Sequence, residues 1–528
     1  NPPMSRDSCG GLYGYRSYAN FSTFFVYKKY DKIYKFFEDY KFHENEKKFN
    51  KMFSIDVSKC FDSIYTHTIP WAILGKDYVK NNLNKKYQDS FWEEFDRLMQ
   101  KMNYNETNGI VIGPEFSRIF AEIILQRIDE DFRKYMLKTH KLVHKKDYAI
   151  FRYVDDYFIF YNDENDRKII ETELGLCLKW YNLHINSLKT ENYNKPFITN
   201  ITVAKEQIKN IFSDSEFWIF HTKEDGSWIV VFSGNFEAKK GITQLKMILR
   251  NANIHYRDIS NYLFALIERK LRKVIKDYSL IEKHNWTNQT QFKKFIIEIL
   301  DFIFFVYSSS PKATLSIKLC VIVNEVLSIF RKGHSTVSEK WYIEINIWDI
   351  DLIKKKLFDE VHSILKIYVS AQYREVEAIY LINILQSLGD KYLIDPTLLV
   401  MYLPSNPDKF DYFLIVNLLN YASINPVVYG SVLKKVQELI IEKLEIESKT
   451  GSSMLIKAEL VFLLFDIMNC PHLEQVFKYK FLAYFDIVAD SEKQKIIDFI
   501  LRKKLFFTKW RSTNFLQEIV KKRKIEVY

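Results

Sequence analysis

Residues 51–65 read KMFSIDVSKCFDSIY and residues 148–161 read YAIFRYVDDYFIFY. In the first stretch apolar and polar residues alternate up to Asp56, which predicts a strand followed by a turn. The second stretch has two short β-favouring runs on either side of Asp155 and Asp156, which predicts a hairpin with both acids at its bend. We therefore expect a β-containing core with carboxylates at the ends of its strands.

The two adjacent aspartates point to a bound cation. Two carboxylates inside an apolar run are costly, because each loses water and each repels the other. A divalent cation removes that penalty, and oxygen ligands suit Mg²⁺ or Mn²⁺. Asp56 would add a third carboxylate and complete a two-ion site of the kind that catalyses nucleotidyl transfer. The alternative for Asp155 and Asp156 is a solvated turn, in which aspartate is common.

Composition excludes several classes of protein. The chain has 528 residues, 47% of them hydrophobic, with 14 Gly and 11 Pro, which rules out global disorder and collagen-like or low-complexity architectures. Its net charge of +11 permits nucleic-acid binding. The five widely spaced cysteines argue against a disulfide framework and favour a reducing cytoplasm. The most apolar run, 295–307, is too short to span a membrane, so no membrane partner is expected.

The hydrophobic pattern predicts an α+β chain in two parts. We expect helices at 24–42, 90–102 and 165–182, and a second hairpin at 217–232 that turns at Asp225-Gly226. Beyond about residue 235 helical periodicity dominates, and Asn425-Pro426 is a typical helix start. The predicted helical segments there are 292–307, 313–331, 350–368, 373–388, 409–422, 427–447, 454–468 and 490–503. We predict one domain over 1–235 and an all-α domain over 236–528, built as a HEAT-like or irregular helical array.

Four segments resemble the motifs of reverse transcriptases, in the same order along the chain. FSIDVSKCFDSIYTH (53–67) is similar to motif A, GIVIGPEFSRIFAEIIL (109–125) to motif B, YVDD (153–156) to motif C and INSLKT (185–190) to motif D. IYTHTIPWAILGK (64–76) further resembles the bacterial defence-associated reverse transcriptases of the abortive-infection and unknown-group family, as does the long helical C-terminal region.

This resemblance implies a fingers–palm domain with named metal ligands. Asp56, Asp155 and Asp156 would hold two Mg²⁺ ions, with Mn²⁺ as an alternative and the Val57 carbonyl as a backbone ligand. Phe61 would be the steric gate that crowds a ribose 2′-hydroxyl and so favours deoxynucleotides. The other reading of Phe61 is a core aromatic residue, and the two readings are compatible.

The resemblance also implies substrate contacts. Gly113 and Pro114 would begin a loop that approaches the incoming nucleotide, and Tyr153 would position the primer end or pack beneath the turn. Lys189 would bring a positive charge or a proton to the leaving pyrophosphate, or be a surface lysine. Basic residues of the fingers should hold the triphosphate, but spacing selects none of the candidates Arg6, Arg16, Lys28 and Lys29.

Together these features predict a DNA polymerase of reverse-transcriptase type that acts in anti-phage defence in the bacterial cytoplasm. Expected partners are dNTPs, the DNA product, a non-coding RNA as template or structural RNA, and further copies of the chain or a defence-complex partner. Synthesis could be RNA-templated or template-independent, and primed from a protein hydroxyl. The alternatives are an RNA-directed RNA polymerase, which shares the palm, and a catalytically silent RNA-binding scaffold. YVDD in place of Gly-Asp-Asp, together with Phe61, favours deoxynucleotides.

Overall fold

The chain divides into two compact units, one that ends at Thr199 and one that runs from Asn200 to Lys524. The computed structural model describes residues 33–37, 39–82, 90–213, 218–222, 228–232, 234, 236–279, 286–331, 347–371, 375–404, 406–451, 453–508, 510, 516 and 519. The four basic residues suggested for the fingers lie outside this described part. The functional domains 1–235 and 236–528 stay a prediction.

A five-stranded antiparallel sheet organises the first unit. Its order is β2-β3-β1-β4, with β5 also paired to β1. The strand predicted after residue 50 and the hairpin predicted at 148–161 are both confirmed. The strands are β1 Lys51–Ser58, β2 Ala149–Tyr153, β3 Asp156–Tyr161, β4 His184–Ile185 and β5 Glu191–Asn194.

Helices surround this sheet. The helices predicted at 90–102 and 165–182 are confirmed, whereas the single helix predicted over 24–42 is wrong where the chain is described. There a second helix begins after Asp39, whose extended backbone and side-chain acceptor cap it at Lys41 N–H. The helices are α1 Ile33–Phe37, α2 Tyr40–Lys48, α3 Cys60–Ser63, α4 Ile69–Leu74, α5 Lys76–Asn81, α6 Phe91–Met102, α7 Glu115–Tyr135 and α8 Glu164–Lys179; one-turn helices cover Thr66–Thr68 and Ser187–Lys189, and a π-helical turn covers Met136–His140.

Both faces of the sheet are buried, which explains why every residue of β3 after Asp156 is apolar or aromatic and buried. Successive side chains of a strand point to opposite faces. Tyr157 and Ile159 of β3 therefore enter the core that α7 and α8 cover, while Phe158 and Phe160 enter a smaller aromatic core with Phe42. This double burial holds β1 and β3 in one register, because a one-residue slip would exchange the two faces.

The second unit is largely helical. Its hairpin of β6 Trp218–Thr222 and β7 Trp228–Phe232 confirms the predicted one, although the turn at Asp225-Gly226 lies outside the described residues. The helices are α9 Asn200–Ser213, α10 Ala238–Asn251, α11 Tyr256–Ser279, α12 Trp286–Ser309, α13 Ala313–Arg331, α14 Ile347–Ala371, α15 Glu375–Gln386, α16 Pro396–Val400, α17 Tyr412–Ala422, α18 Pro426–Ser448, α19 Ala458–Asn469, α20 Gln475–Ala483 and α21 Asp490–Lys503, with one-turn helices at Pro407–Lys409 and Met454–Ile456.

Alternate helices of this unit pack on one another. One row runs through α11, α13, α15, α17, α19 and α21, while α10, α12 and α14 form a second row. This is the stacking expected of a helical array, in which each element contacts its near neighbours. The predicted helix start at Asn425-Pro426 is confirmed, since the Asn425 side chain accepts a hydrogen bond from Val428 N–H. Within the described residues, every helix is too short or too polar to cross a bilayer.

Candidate active site

Strand register brings the first and last of the three aspartates together. Asp56, near the end of β1, stands directly opposite Asp156, the first residue of β3. Directly paired residues of antiparallel strands have Cα atoms about 4.5–5.5 Å apart. A hundred residues separate these two in the chain, so only the pairing of the strands makes them neighbours.

Asp155 lies in the two-residue turn between β2 and β3. Its carbonyl accepts a hydrogen bond of 3.2 Å from Val57 N–H, which ties the turn to the end of β1. The other turn residue, Val154, has φ of +55°. The tight turns of hairpins require a positive φ at this position, but a β-branched residue adopts it only with strain. The turn thus holds Asp155 beside the Asp56–Asp156 pair.

The carboxylates stand in a partly buried site with excess negative charge. Burial, followed by the negative charges of Asp155 and Asp56, raises the pKa of Asp156 to about 6. Burial and the charge of Asp56 also raise the pKa of Asp155. Raised pKa values mean that the charged forms of Asp155 and Asp156 are disfavoured in this site unless a positive charge lies beside them.

Positive charge is already present on one side of the site. Lys189 Nζ lies 3.1 Å from Asp56 Oδ2, and the hydrogen bond with Asp56 raises the pKa of Lys189. The same Asp56 oxygen accepts a hydrogen bond of 3.1 Å from Asn186 Nδ2, while the Asp56 carbonyl accepts one of 2.8 Å from Asn186 N–H. Asp56 is therefore held in place by the motif that follows β4.

The donor set fits a divalent cation. Across the described ranges, no three Asp, Glu, His or Cys side chains already surround a point where a metal ion would bind. The three aspartates nevertheless offer hard oxygen ligands, the kind that Mg²⁺ and Mn²⁺ prefer. The raised pKa values of Asp155 and Asp156 show a local need for positive charge, and Asp56 already accepts a cationic group. The role of these aspartates and of the Val57 carbonyl as metal ligands stays a prediction.

Backbone hydrogen bonds connect the segment around Phe61 to the start of motif B. Phe61, half-buried in α3, accepts a hydrogen bond of 2.9 Å from Ile110 N–H, and Gly109 N–H donates to Ile64 O at 2.8 Å. A Cβ on Gly109 would lie 3.1 Å from the Asp62 carbonyl, and the φ of Gly109 is +84°. Glycine is thus required for this close approach. The structure places the predicted gate residue next to the strand-like segment that leads into Gly113.

The other residues predicted to contact the substrate lie in environments that differ from one another. Gly113 has φ of +118° and open space where a Cβ would lie, and Pro114 precedes the first turn of α7. The Tyr153 ring packs on the smaller aromatic core of the sheet, which agrees with packing beneath the turn. Arg118 forms an ion pair with Glu115 at 2.7 Å. The substrate roles of Phe61, Gly113, Pro114, Tyr153 and Lys189 stay predictions.

Two residues of this site carry roles that the motifs alone did not suggest. Arg152 is buried beneath the turn, where it contacts Glu122 and Asp129 of α7. An arginine in an otherwise apolar strand was a signal for a buried acidic partner, because an unpaired buried charge is costly. Asn186, which orients Asp56, had no comparable signal, since asparagine is common in turns.

Comparison with known proteins identifies a reverse transcriptase domain in the first part of the chain. Residues 12–211 match the family described as reverse transcriptase (RNA-dependent DNA polymerase), and this range contains all three aspartates. No curated protein matches the chain. A solved structure of telomerase from Candida albicans, in complex with a TWJ fragment of telomeric RNA, matches 75% of this chain at 12% identity with a TM-score of 0.22. The match covers 52% of the telomerase chain, and similarity at this level supports no argument about fold or function.

Proposed function

We propose that this chain is a DNA polymerase of reverse-transcriptase type that joins dNTPs at Asp56, Asp155 and Asp156. The observation that carries the proposal is the strand register, which sets Asp56 opposite Asp156 with Asp155 in the adjoining turn. Three acids in one partly buried place are unfavourable for folding and useful for transferring phosphoryl groups. The family match over residues 12–211 supports the same class of reaction.

The reaction is the attack of a primer hydroxyl on the α-phosphorus of a dNTP, with pyrophosphate as the leaving group. Two Mg²⁺ ions, or Mn²⁺, held by the three carboxylates and the Val57 carbonyl would supply the positive charge that this transfer needs. Lys189, now paired with Asp56, is close enough to the cluster to donate a proton or a hydrogen bond to the departing pyrophosphate. Asn186 keeps the Asp56 carboxylate in one orientation throughout.

Selection of deoxynucleotides falls to Phe61 in this proposal. Its backbone carbonyl accepts a hydrogen bond from Ile110 N–H, and its partly buried ring packs against the core that α7 and α8 cover. A ring held in one position excludes a ribose 2′-hydroxyl by its volume, whereas a mobile ring would move aside and admit it. Gly113, with no Cβ and open space around it, lets the backbone approach the nucleotide closely.

We further propose a role in anti-phage defence in the bacterial cytoplasm. The resemblance of residues 64–76 to defence-associated enzymes supports it, together with the helical array of the second unit. A non-coding RNA as template or structural partner, further copies of the chain, and a protein hydroxyl as primer belong to the same proposal. Each can be tested directly by identifying the RNA, protein copies and covalently attached DNA in the purified sample.

Purified chain should be incubated with Mg²⁺ and each labelled dNTP or NTP, with and without an RNA template, a DNA primer and RNA copurified from the host. Incorporation of dNTPs that is lost in Asp155→Asn supports the proposal. Incorporation of NTPs alone would identify an RNA-directed RNA polymerase instead. Binding of RNA with incorporation of neither, under all these conditions, would identify the silent scaffold. Label that stays with the protein after denaturation would locate a protein primer.

A further inference from the structure

Arg152 is held by several hydrogen bonds beneath the turn that carries Asp155. It stands next to last in β2, and its side chain is 6% exposed. Nη1 donates to Glu122 Oε2 and to the Val154 carbonyl, both at 2.8 Å, while Nη2 donates to Glu122 Oε1 at 3.0 Å. Nε donates to Asp129 Oδ2 at 2.9 Å, and Nη2 lies 2.8 Å from the same oxygen. These contacts use all five N–H donors of a guanidinium.

Stability alone is a weak reason for such a network. A buried ion pair loses much of its attraction to desolvation, and apolar replacements of similar volume are often just as stable. Burial lowers the pKa of Arg152, but hydrogen bonds with Glu122 and the charge of Asp129 raise it overall, so the guanidinium is a fixed positive charge. A network that is costly to build and always charged is suited to fixing the geometry of what it touches.

The contact with Val154 is the one that reaches the catalytic turn. Val154 has φ of +55°, which a β-branched residue adopts only when its surroundings impose it. Its carbonyl belongs to the peptide that enters Asp155, and a planar peptide is oriented as a whole when its oxygen is held. Arg152 therefore fixes the orientation of the peptide through which the chain enters Asp155.

The acids that hold Arg152 both lie on α7, the helix that Pro114 precedes. Tyr157 Oη donates a hydrogen bond of 2.9 Å to Asp129 Oδ1, so the network also includes the second residue of β3. The guanidinium consequently links the helix that follows the Gly113 loop to the turn that carries Asp155. A change in either would be transmitted through one buried group.

We propose that Arg152 is a positioning residue for nucleotidyl transfer, which holds the strained Val154–Asp155 peptide in register with Asp56 and couples it to α7. This inference rests on the proposed function for the reaction it serves, but its geometric part can be tested without catalysis. Lysine cannot replace it, because an ammonium is a point charge that lacks the planar fork needed to bind two acids and a carbonyl together.

The test compares Arg152→Lys and Arg152→Met with Arg127→Met in the full chain. Arg127 is the control because it lies on α7, the helix that carries Glu122 and Asp129, and pairs with Asp131 within that helix. We expect kcat to fall ten- to a hundredfold in both Arg152 variants, with the KM for dNTP within threefold of wild type. Mn²⁺ titration followed by electron paramagnetic resonance should show at least fivefold weaker binding, and Arg127→Met should match wild type in both.

A second pair of variants separates positioning from mere folding. Val154→Gly in the Arg152→Lys background removes the strain, since glycine adopts positive φ freely, so it should recover threefold or more of the lost Mn²⁺ affinity. If Arg152→Met does not fold, Glu122→Gln, which keeps the side-chain volume, should weaken Mn²⁺ binding in the same direction. Unchanged Mn²⁺ affinity in folded Arg152→Lys, or no recovery with Val154→Gly, would overturn the inference. Weakened Mn²⁺ binding in a protein whose wild type incorporates no nucleotide would support the positioning role and reject only the polymerase.

Discussion

Replacing Asp156 with asparagine should stabilise the metal-free reverse transcriptase domain while abolishing nucleotide incorporation. The two effects have one cause. The Asp156 carboxylate is partly buried beside two others, so its charge opposes folding until a cation arrives. Asparagine keeps the shape of the side chain and removes the charge. The variant thus loses a metal ligand and loses a repulsion in the same step.

The magnitude follows from the pKa of Asp156, which is about 6 instead of the ordinary 3.8. Each pKa unit corresponds to about 1.4 kcal/mol, so full burial would give a penalty of about 3 kcal/mol at pH 8. Solvent screening of a group that is only partly buried reduces this to about 1–2 kcal/mol. Hydrogen exchange of the β1 and β3 amides should therefore slow by about five- to thirtyfold in the variant.

The pH dependence fixes the sign of the effect. A carboxyl whose pKa is higher in the folded than in the unfolded chain binds its proton more tightly when folded. The penalty is complete above about pH 7, shrinks as the pH falls from 6 to 3.8, and disappears below 3.8. At pH 4.5 about one third of it should remain, so the protection factors of wild type and Asp156→Asn should approach each other.

These protection factors are measured for the first unit alone by hydrogen exchange followed by mass spectrometry. The exchange is carried out in EDTA at pH 8 and at pH 4.5. Asp62→Asn is the control, because Asp62 is exposed and its replacement should leave protection unchanged. Added Mn²⁺ should protect the wild type and leave Asp156→Asn unaffected. Equal protection of Asp156→Asn and wild type at pH 8, or faster exchange in the variant, would refute the electrostatic account of the cluster.

Three further predictions address the gate, the lysine and the second unit. Phe61→Ala should raise the ratio of ribonucleotide to deoxynucleotide incorporation by about tenfold or more, measured by competition in primer extension; an unchanged ratio would remove the gate assignment. Lys189→Met should lower kcat in primer extension by about a hundredfold, because the lysine is proposed to donate to the leaving pyrophosphate; full activity would show that the lysine is dispensable. Asp466 is fully buried and accepts hydrogen bonds from Phe507 N–H and Thr508 N–H. Asp466→Ala should lower the free energy of unfolding by about 3 kcal/mol, measured as faster hydrogen exchange in α19 but not in α7. Equal exchange of α19 in the variant and the wild type would contradict the role of Asp466 as the anchor of residues 507–508.

The elements with strong local signals were predictable from the sequence. The helix Asp490–Lys503 has the predicted bounds, and Pro426–Ser448 begins at the predicted cap. The hairpin around Asp155 was readable because β-favouring runs flank two turn-forming acids. Local signals failed where two structures compete over a few residues. The predicted helix at 454–468 is a one-turn helix at Met454–Ile456 followed by a helix that begins at Ala458, and residues 200–213 were not predicted as a helix at all.

The chemistry of the site was predictable in kind, and its assembly was not. The sequence by itself determined that three acids, an aromatic residue and a lysine occur in motifs of reverse-transcriptase order, because residue types and spacings are local properties. Only the tertiary structure decided that Asp56 faces Asp156, that Lys189 and Asn186 hold Asp56, and that Arg152 is bonded to the Val154 carbonyl. Each of these contacts depends on how strands and helices distant in the chain pack. Their register is chosen by burial on both faces of the sheet, which no single segment encodes.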